Sequence, residues 1–209
     1  MDLTKVGAVS LAGAGGAGGG FIAYKYGAFD EPIKVREKVK GFVVAKEDDG
    51  VWSARVATLT SATSNTLHES LSKLKNPSFT KEGIRDWCIE SLDSTFKEGD
   101  TRFKNVQDYC VYNNKDKLGS SALNGSETSK WTTVQDSLKN ENGTLSNTMK
   151  AIKNKLKGEG GVTKDENALK TWCEGFYSEI WMGEEDPDFK DAKTYCKEKA
   201  ASAGVGGGG

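Results

Sequence analysis

The strongest constraint in this sequence is internal. The stretch "GIRDWCIESLDSTF", followed by "FKNVQDYC", is answered later by "ALKTWCEGFYSEIW" and "FKDAKTYC". Trp87-Cys88 recurs as Trp172-Cys173, and Phe96 as Trp181, at one constant offset. Phe103 recurs as Phe189, and Tyr109-Cys110 as Tyr195-Cys196, with the offset longer by a single position. Upstream, Trp52 and Leu59 recur as Trp131 and Leu138 at a slightly shorter shared offset. An ordered match of aromatic and cysteine positions marks a duplicated unit. The sequence places the copies at 50–115 and 129–199, with residues 116–128 between them of linker composition. The matched aromatics Trp52, Trp87, Phe96, Phe103, Tyr109, Trp131, Trp172, Trp181, Phe189 and Tyr195 are the expected core of the two copies.

All four cysteines fall inside the copies. Cys88 and Cys110 enclose a stretch almost identical in length to the one that Cys173 and Cys196 enclose. Four cysteines allow three pairings, and the duplication favours the one within each copy. A small helical unit with a thin core gains from such a staple. Four buried thiols packed like small hydrophobes are the competing reading. A zinc site is disfavoured, because there is no C-x-x-C and the single histidine, His68, is remote in sequence from both pairs.

Each copy reads as two or three short helices, giving a mainly α fold. Ile84, Trp87, Cys88, Leu92 and Phe96 share one helical face, as do Leu169, Trp172, Cys173, Phe176, Tyr177, Ile180 and Trp181. Thr163-x-x-Glu166 has the pattern of a capping box opening the second of these helices. Asp186-Pro187 is an N-cap followed by Pro at N1, and Asp100 holds the matching place in the first copy. Leu67, Leu71 and Leu74, and Leu145, Met149, Ile152 and Leu156, mark a further helix in each copy. The piece "GFVVAK" has strand character, yet a lone strand has nothing to pair with.

The start of the chain is of another kind. Residues 6–24, "VGAVSLAGAGGAGGGFIAY", form a charge-free run of nineteen. Gly13, Gly15 and Gly18 match G-x-G-x-x-G, but Gly19 and Gly20 follow where a helix should open. In a Gly/Ala tract that match is a compositional accident. The run is close to the length that spans a bilayer core, with Val6, Leu11, Phe21 and Ile22 supplying apolar weight and Tyr24 suiting the interface. Residues 1–26 are therefore read as a membrane-anchor helix, with a cleaved signal segment and a flexible soluble leader as the other readings. Residues 27–49 become a juxtamembrane connector, and the glycine-rich tail 200–209 is expected to be disordered. Lys25, Lys34, Arg36, Lys38 and Lys40 just beyond the anchor favour a cytoplasmic body by the positive-inside rule. Paired cysteines favour the outside.

Searching for chemistry yields little. Net charge is −1, and no basic domain face marks a nucleic-acid partner. His68 sits in the polar stretch "NTLHESL" and reads as an exposed bystander, with no G-x-S-x-G to build a triad around. Glu184, Glu185, Asp186 and Asp188 lack the spacing of a calcium loop and lie where acids favour a helix N-terminus. No catalytic, cofactor-binding or metal residue is assigned.

The Gly/Ala-rich start, the stretch "VREKVKGFVVAKEDDGVW" and the repeated "WC…YC" ends resemble the large paralogous families of proteins of comparable length in haemotropic mycoplasmas. The resemblance implies an N-terminally anchored, surface-exposed protein and brings no catalytic residues with it. The expectation is a cell-membrane protein with a single N-terminal span and an extracellular body. It would act without catalysis and without a cofactor, by binding or antigenic display. Its partners would be membrane lipid and host surface proteins or antibodies, with no nucleic acid and the oligomeric state left open. The alternative is a cytoplasm-facing scaffold with reduced cysteines.

Overall fold

The computed structural model describes residues 32–198. The expected anchor residues Val6, Leu11, Phe21, Ile22 and Tyr24, and the tail 200–209, lie outside the described residues. Within them the chain is mainly helical: α1 (Val35–Lys38), α2 (Asp49–Ser61), α3 (Glu69–Lys73), α4 (Lys81–Leu92), α5 (Thr101–Tyr109), α6 (Asn114–Leu118), α7 (Thr128–Lys139), α8 (Asn147–Lys157), α9 (Ala168–Phe176) and α10 (Pro187–Tyr195). Among the described residues no helix is long and apolar enough to cross a membrane.

Short polar side chains set where these helices begin. Asp48, Thr80, Asp100, Ser146 and Asp186 each accept a hydrogen bond from a first-turn N–H of α2, α4, α5, α8 and α10. Pro187 takes N1 of α10, as the sequence indicates. Gly158 ends α8 in the left-handed region at φ 70°, where a side chain would be strained. The capping box expected at Thr163 and Glu166 does not form. Lys164 binds the Glu166 carboxylate instead, and α9 starts only after Asn167. His68 is a correction too: its Nδ1 accepts from Ser70 N–H, so the ring caps α3 and is half-buried.

Two apolar cores form in succession. The first gathers buried side chains from Val35 to Val111, and the second from Leu118 to Cys196. A disulfide closes each: Cys88–Cys110, with Cα atoms 5.5 Å apart, and Cys173–Cys196, at 5.6 Å. In each case one cysteine stands on the first helix of a pair (α4 or α9). The other stands at the C-cap of the next helix, α5 or α10. All four cysteines are buried.

Phe96 and Trp181 leave the faces on which the sequence put them. Both follow the ends of α4 and α9, where the backbone turns extended and forms an antiparallel bridge, Lys34 to Thr95 and Asn113 to Ile180. Phe96 N–H donates to Ile33 C=O, and Trp181 N–H donates to Tyr112 C=O. The extended piece around Val43 also finds a partner, contrary to the sequence reading. It bridges Val111, with Val44 N–H on Cys110 C=O and Tyr112 N–H on Phe42 C=O. The second core has the same three links: Ala122 bridges Lys197, Leu123 N–H donates to Cys196 C=O, and Glu198 N–H donates to Ser121 C=O.

The described part of the stretch read as connector, residues 32–49, and the stretch read as linker, residues 116–128, are therefore folded. Val35, Val39 and Val44 are buried in the first core, and Leu118 and Leu123 in the second. Composition misleads here because the anchoring residues are few and set among lysines, serines and glycines.

Candidate functional site

The expected core aromatics lie in or against the two cores, and three of their indoles donate hydrogen bonds. Trp52 Nε1 donates to Ala45 C=O at 2.9 Å, and Trp131 Nε1 to Asn124 C=O at 2.7 Å. Trp87 Nε1 donates to Ser70 Oγ, whose hydroxyl lies 2.8 Å from the His68 ring. Phe96 packs edge-on to Phe103 at 4.8 Å, and Trp181 to Phe189 at 6.2 Å. Trp52, Trp87, Phe103, Tyr109, Trp131, Phe189 and Tyr195 are buried. Phe96, Trp172 and Trp181 are half-buried, and Trp172 stacks on Phe176.

Two phenols are pushed well above the ordinary tyrosine value. Burial is the main cause for Tyr177, with the Glu174 charge adding to it. Burial also leads for Tyr195, followed by its hydrogen bond to Glu141. Both groups act as donors: Tyr177 Oη lies 2.9 Å from Leu123 C=O and 2.7 Å from Cys196 C=O. Tyr177 thus ties the end of α9 to both extended segments beside the second disulfide, a role the sequence reading did not assign.

Polar chemistry concentrates where the two cores meet. Arg55, on α2, is buried and donates through Nε to Tyr109 C=O and through Nη2 to Val111 C=O. Its guanidinium also grips Asp116 at 3.2 and 2.5 Å, with side chains only 4% and 8% exposed. Asp116 in turn accepts from Asn113 N–H, completing the capping box of α6. Close by, Lys117 Nζ sits 3.3 Å from the Tyr112 ring centre and 4.9 Å from that of Trp181. No signal short of the fold could pair Arg55 with Asp116, because they stand on helices far apart in the chain.

The groups that the sequence offered for chemistry have structural work. Glu184 and Glu185 bind Lys193 and Lys190, Asp186 caps α10, and Asp188 accepts from Thr148. Among the described residues no cluster of histidine, cysteine and carboxylate side chains is arranged to hold a metal ion. In the basic run, Arg36 pairs with Asp93 and Lys38 lies over Phe96.

The first core also has a small cleft. A cleft of about 50 Å³ beside Cys88 is walled by Val43, Val44, Trp52 and Leu92, with Lys46, Arg85 and Ile89 at its margin. Arg85 Nε is shielded from solvent without a hydrogen-bond partner, and Ile89 is 51% exposed.

No protein-family model matches the chain, and no curated protein or solved structure is significantly similar to it.

Proposed function

We propose that this is a membrane-anchored, surface-exposed protein that acts by binding or display rather than by catalysis. Its body would be two tandem copies of one disulfide-stapled helical unit. The observation that carries the reading is the pair of disulfides, each buried at the centre of its own core. Structural disulfides form and persist in oxidising surroundings, and a bond buried at the centre of each core is a structural one.

Support for the duplication comes from the spacing of equivalent bonds. The Trp52 and Trp131 indoles reach back over the same length of chain to their acceptors, Ala45 and Asn124. The bridges Lys34–Thr95 and Val43–Val111 reappear as Asn113–Ile180 and Ala122–Lys197. Lys38 over Phe96 reappears as Lys117 over Trp181. These correspondences support a unit spanning 33–112 and again 112–198, longer at its start than the sequence reading allowed. The basic run after the anchor then becomes part of the first unit, since Val35 and Val39 are buried between its charged residues. In this reading the chain belongs with the anchored surface families that it resembles, and its partners are membrane lipid at one end and host molecules at the other.

The cytoplasm-facing scaffold is the competing proposal, and one experiment separates the two. Intact cells of the source organism are quenched with an alkylating agent, and the mass of the protein is read before and after reduction. Two disulfides together with removal of the body by protease added to intact cells are the expected result. Four alkylated thiols and a protected body would overturn the proposal.

A further inference from the structure

We propose that Asn124 is a site at which the chain modifies itself: its carboxamide closes onto the Gly125 nitrogen, releases ammonia, and ends as aspartate or isoaspartate. The sequence holds two Asn-Gly pairs, Asn124-Gly125 and Asn142-Gly143, and both are exposed. In such a pair the glycine backbone nitrogen and the asparagine Cγ join in a five-membered ring, an intramolecular step that needs no partner. The nitrogen attacks as its amidate. The N–Cγ bond forms, charge collects on Oδ1, and the Cγ–Nδ2 bond then breaks. The proton lost by the backbone nitrogen is balanced by the one that Nδ2 takes up to leave as ammonia. Water opens the resulting imide at either carbonyl, and no oxidant or cofactor is consumed.

The fold treats the two pairs in opposite ways. Asn124 Oδ1 accepts the Ser126 N–H at 3.0 Å and the Ser126 hydroxyl at 2.5 Å. A backbone N–H can meet only an acceptor, so these bonds fix which end of the amide is oxygen. Two donors therefore stand where the charge of ring closure develops. The attacking amide is prepared as well. Its carbonyl, that of Asn124, accepts the Trp131 indole N–H at 2.7 Å and the Glu127 N–H at 3.3 Å. An amidate carries most of its charge on that oxygen, so both bonds favour loss of the Gly125 proton. The Gly125 N–H itself has no partner among the described residues. A side chain at 125 would meet Glu174 Oε1 at 2.6 Å, so the corner demands the unhindered glycine that ring closure also favours. Lys170 Nζ, on the Gly125 carbonyl at 2.7 Å, offsets the Glu174 charge.

At Asn142 the arrangement is reversed. The Gly143 N–H is held by Glu141 Oε1 at 2.6 Å. The nitrogen that must lose its proton is thus occupied, and it faces a carboxylate that opposes an amidate. Conversion at Asn124 adds one negative charge to the corner. The isoaspartyl product also lengthens the main chain by one carbon beside Leu123, whose N–H holds Cys196 C=O.

The test is to incubate the purified full chain at neutral pH and body temperature, with digestion at mildly acid pH to halt further conversion. Mass spectrometry then reads the peptides carrying Asn124 and Asn142, with fragmentation that separates aspartate from isoaspartate. In the folded chain Asn124 should convert at least about fivefold faster than Asn142. In the reduced chain unfolded in urea the two should convert at similar rates. Ser126→Ala removes one donor from Oδ1 and should slow Asn124 at least about threefold, leaving Asn142 unchanged. Glu141→Ala, shown to be folded by its amide spectrum, frees the Gly143 N–H and should speed Asn142. Conversion at Asn142 as fast as at Asn124 in the folded wild type, or none at Asn124, overturns the proposal. So does an unchanged rate in Ser126→Ala, or the same preference for Asn124 in the unfolded chain.

Discussion

The Arg55–Asp116 pair gives the sharpest test of how the two cores are held together. Arg55→Met removes the guanidinium while keeping an unbranched apolar stem. The Asp116 carboxylate, 8% exposed, then stays buried with no cation beside it. Two carbonyls, of Tyr109 and Val111, lose their donors in the same step. Breaking one side of a buried pair costs about 3–5 kcal/mol. That is a large share of a total stability on the order of 5–15 kcal/mol. Adding Asp116→Asn removes the stranded charge but not the orphaned carbonyls, so the double variant should cost only about 1–3 kcal/mol. The surface pair Arg36–Asp93, 54% and 62% exposed, serves as the control, and Arg36→Ala should cost under about 1 kcal/mol. The assay is urea unfolding followed by tryptophan fluorescence. Because Arg55 stands on α2 and Asp116 on α6, the single variant should also broaden or split the transition as the cores uncouple. If Arg55→Met costs no more than Arg36→Ala, or if the two substitutions simply add, the pair does not carry the joint and the reasoning fails.

Other expectations follow from the same structure. Replacing either cysteine pair by alanine frees the unfolded chain from a closed loop and should lower stability by about 3 kcal/mol, read as the difference between wild-type and variant unfolding free energies. A fragment covering 112–198 should give a dispersed amide spectrum, whereas one covering 129–198 should not, because the latter lacks buried Leu118 and Leu123 and the extended segment that meets Ile180. The Glu141 carboxyl is held below its ordinary value, first by the Gly143 N–H and then by the Tyr195 hydroxyl. Its contribution is present above the unfolded-state value and is lost as pH falls through the depressed one, so Glu141→Gln should flatten the acid limb of stability against pH. An acid limb identical to the wild type's would show that these two bonds do not stabilise the fold.

The helices were legible in the sequence because their signals are local. Asp100 and Asp186 act as the caps they were read to be, and Met149, Ile152 and Leu156 line the inner face of α8 as their spacing implies. The cysteine partners were legible because the recurring Trp-Cys and Tyr-Cys pattern favours one of three pairings. What escaped were contacts made by backbone or by isolated residues. Thr95 and Ile180 bridge Lys34 and Asn113 through main-chain groups, which any side chain permits, so the pattern has no residue signature. Phe96 and Trp181 kept a helical spacing that their backbone does not follow.

Tyr112 gives its N–H to Phe42 on one side and receives the Trp181 N–H at its carbonyl on the other. In the proposed two-unit reading, one residue is the last rung of the first unit and the first rung of the second. A chain with such a joint has no seam to redesign when its length changes. Unequal exchange between the two coding segments would add or delete a whole unit in register, every rung still occupied. In that reading, a chain with more or fewer units would still keep each disulfide within its own segment.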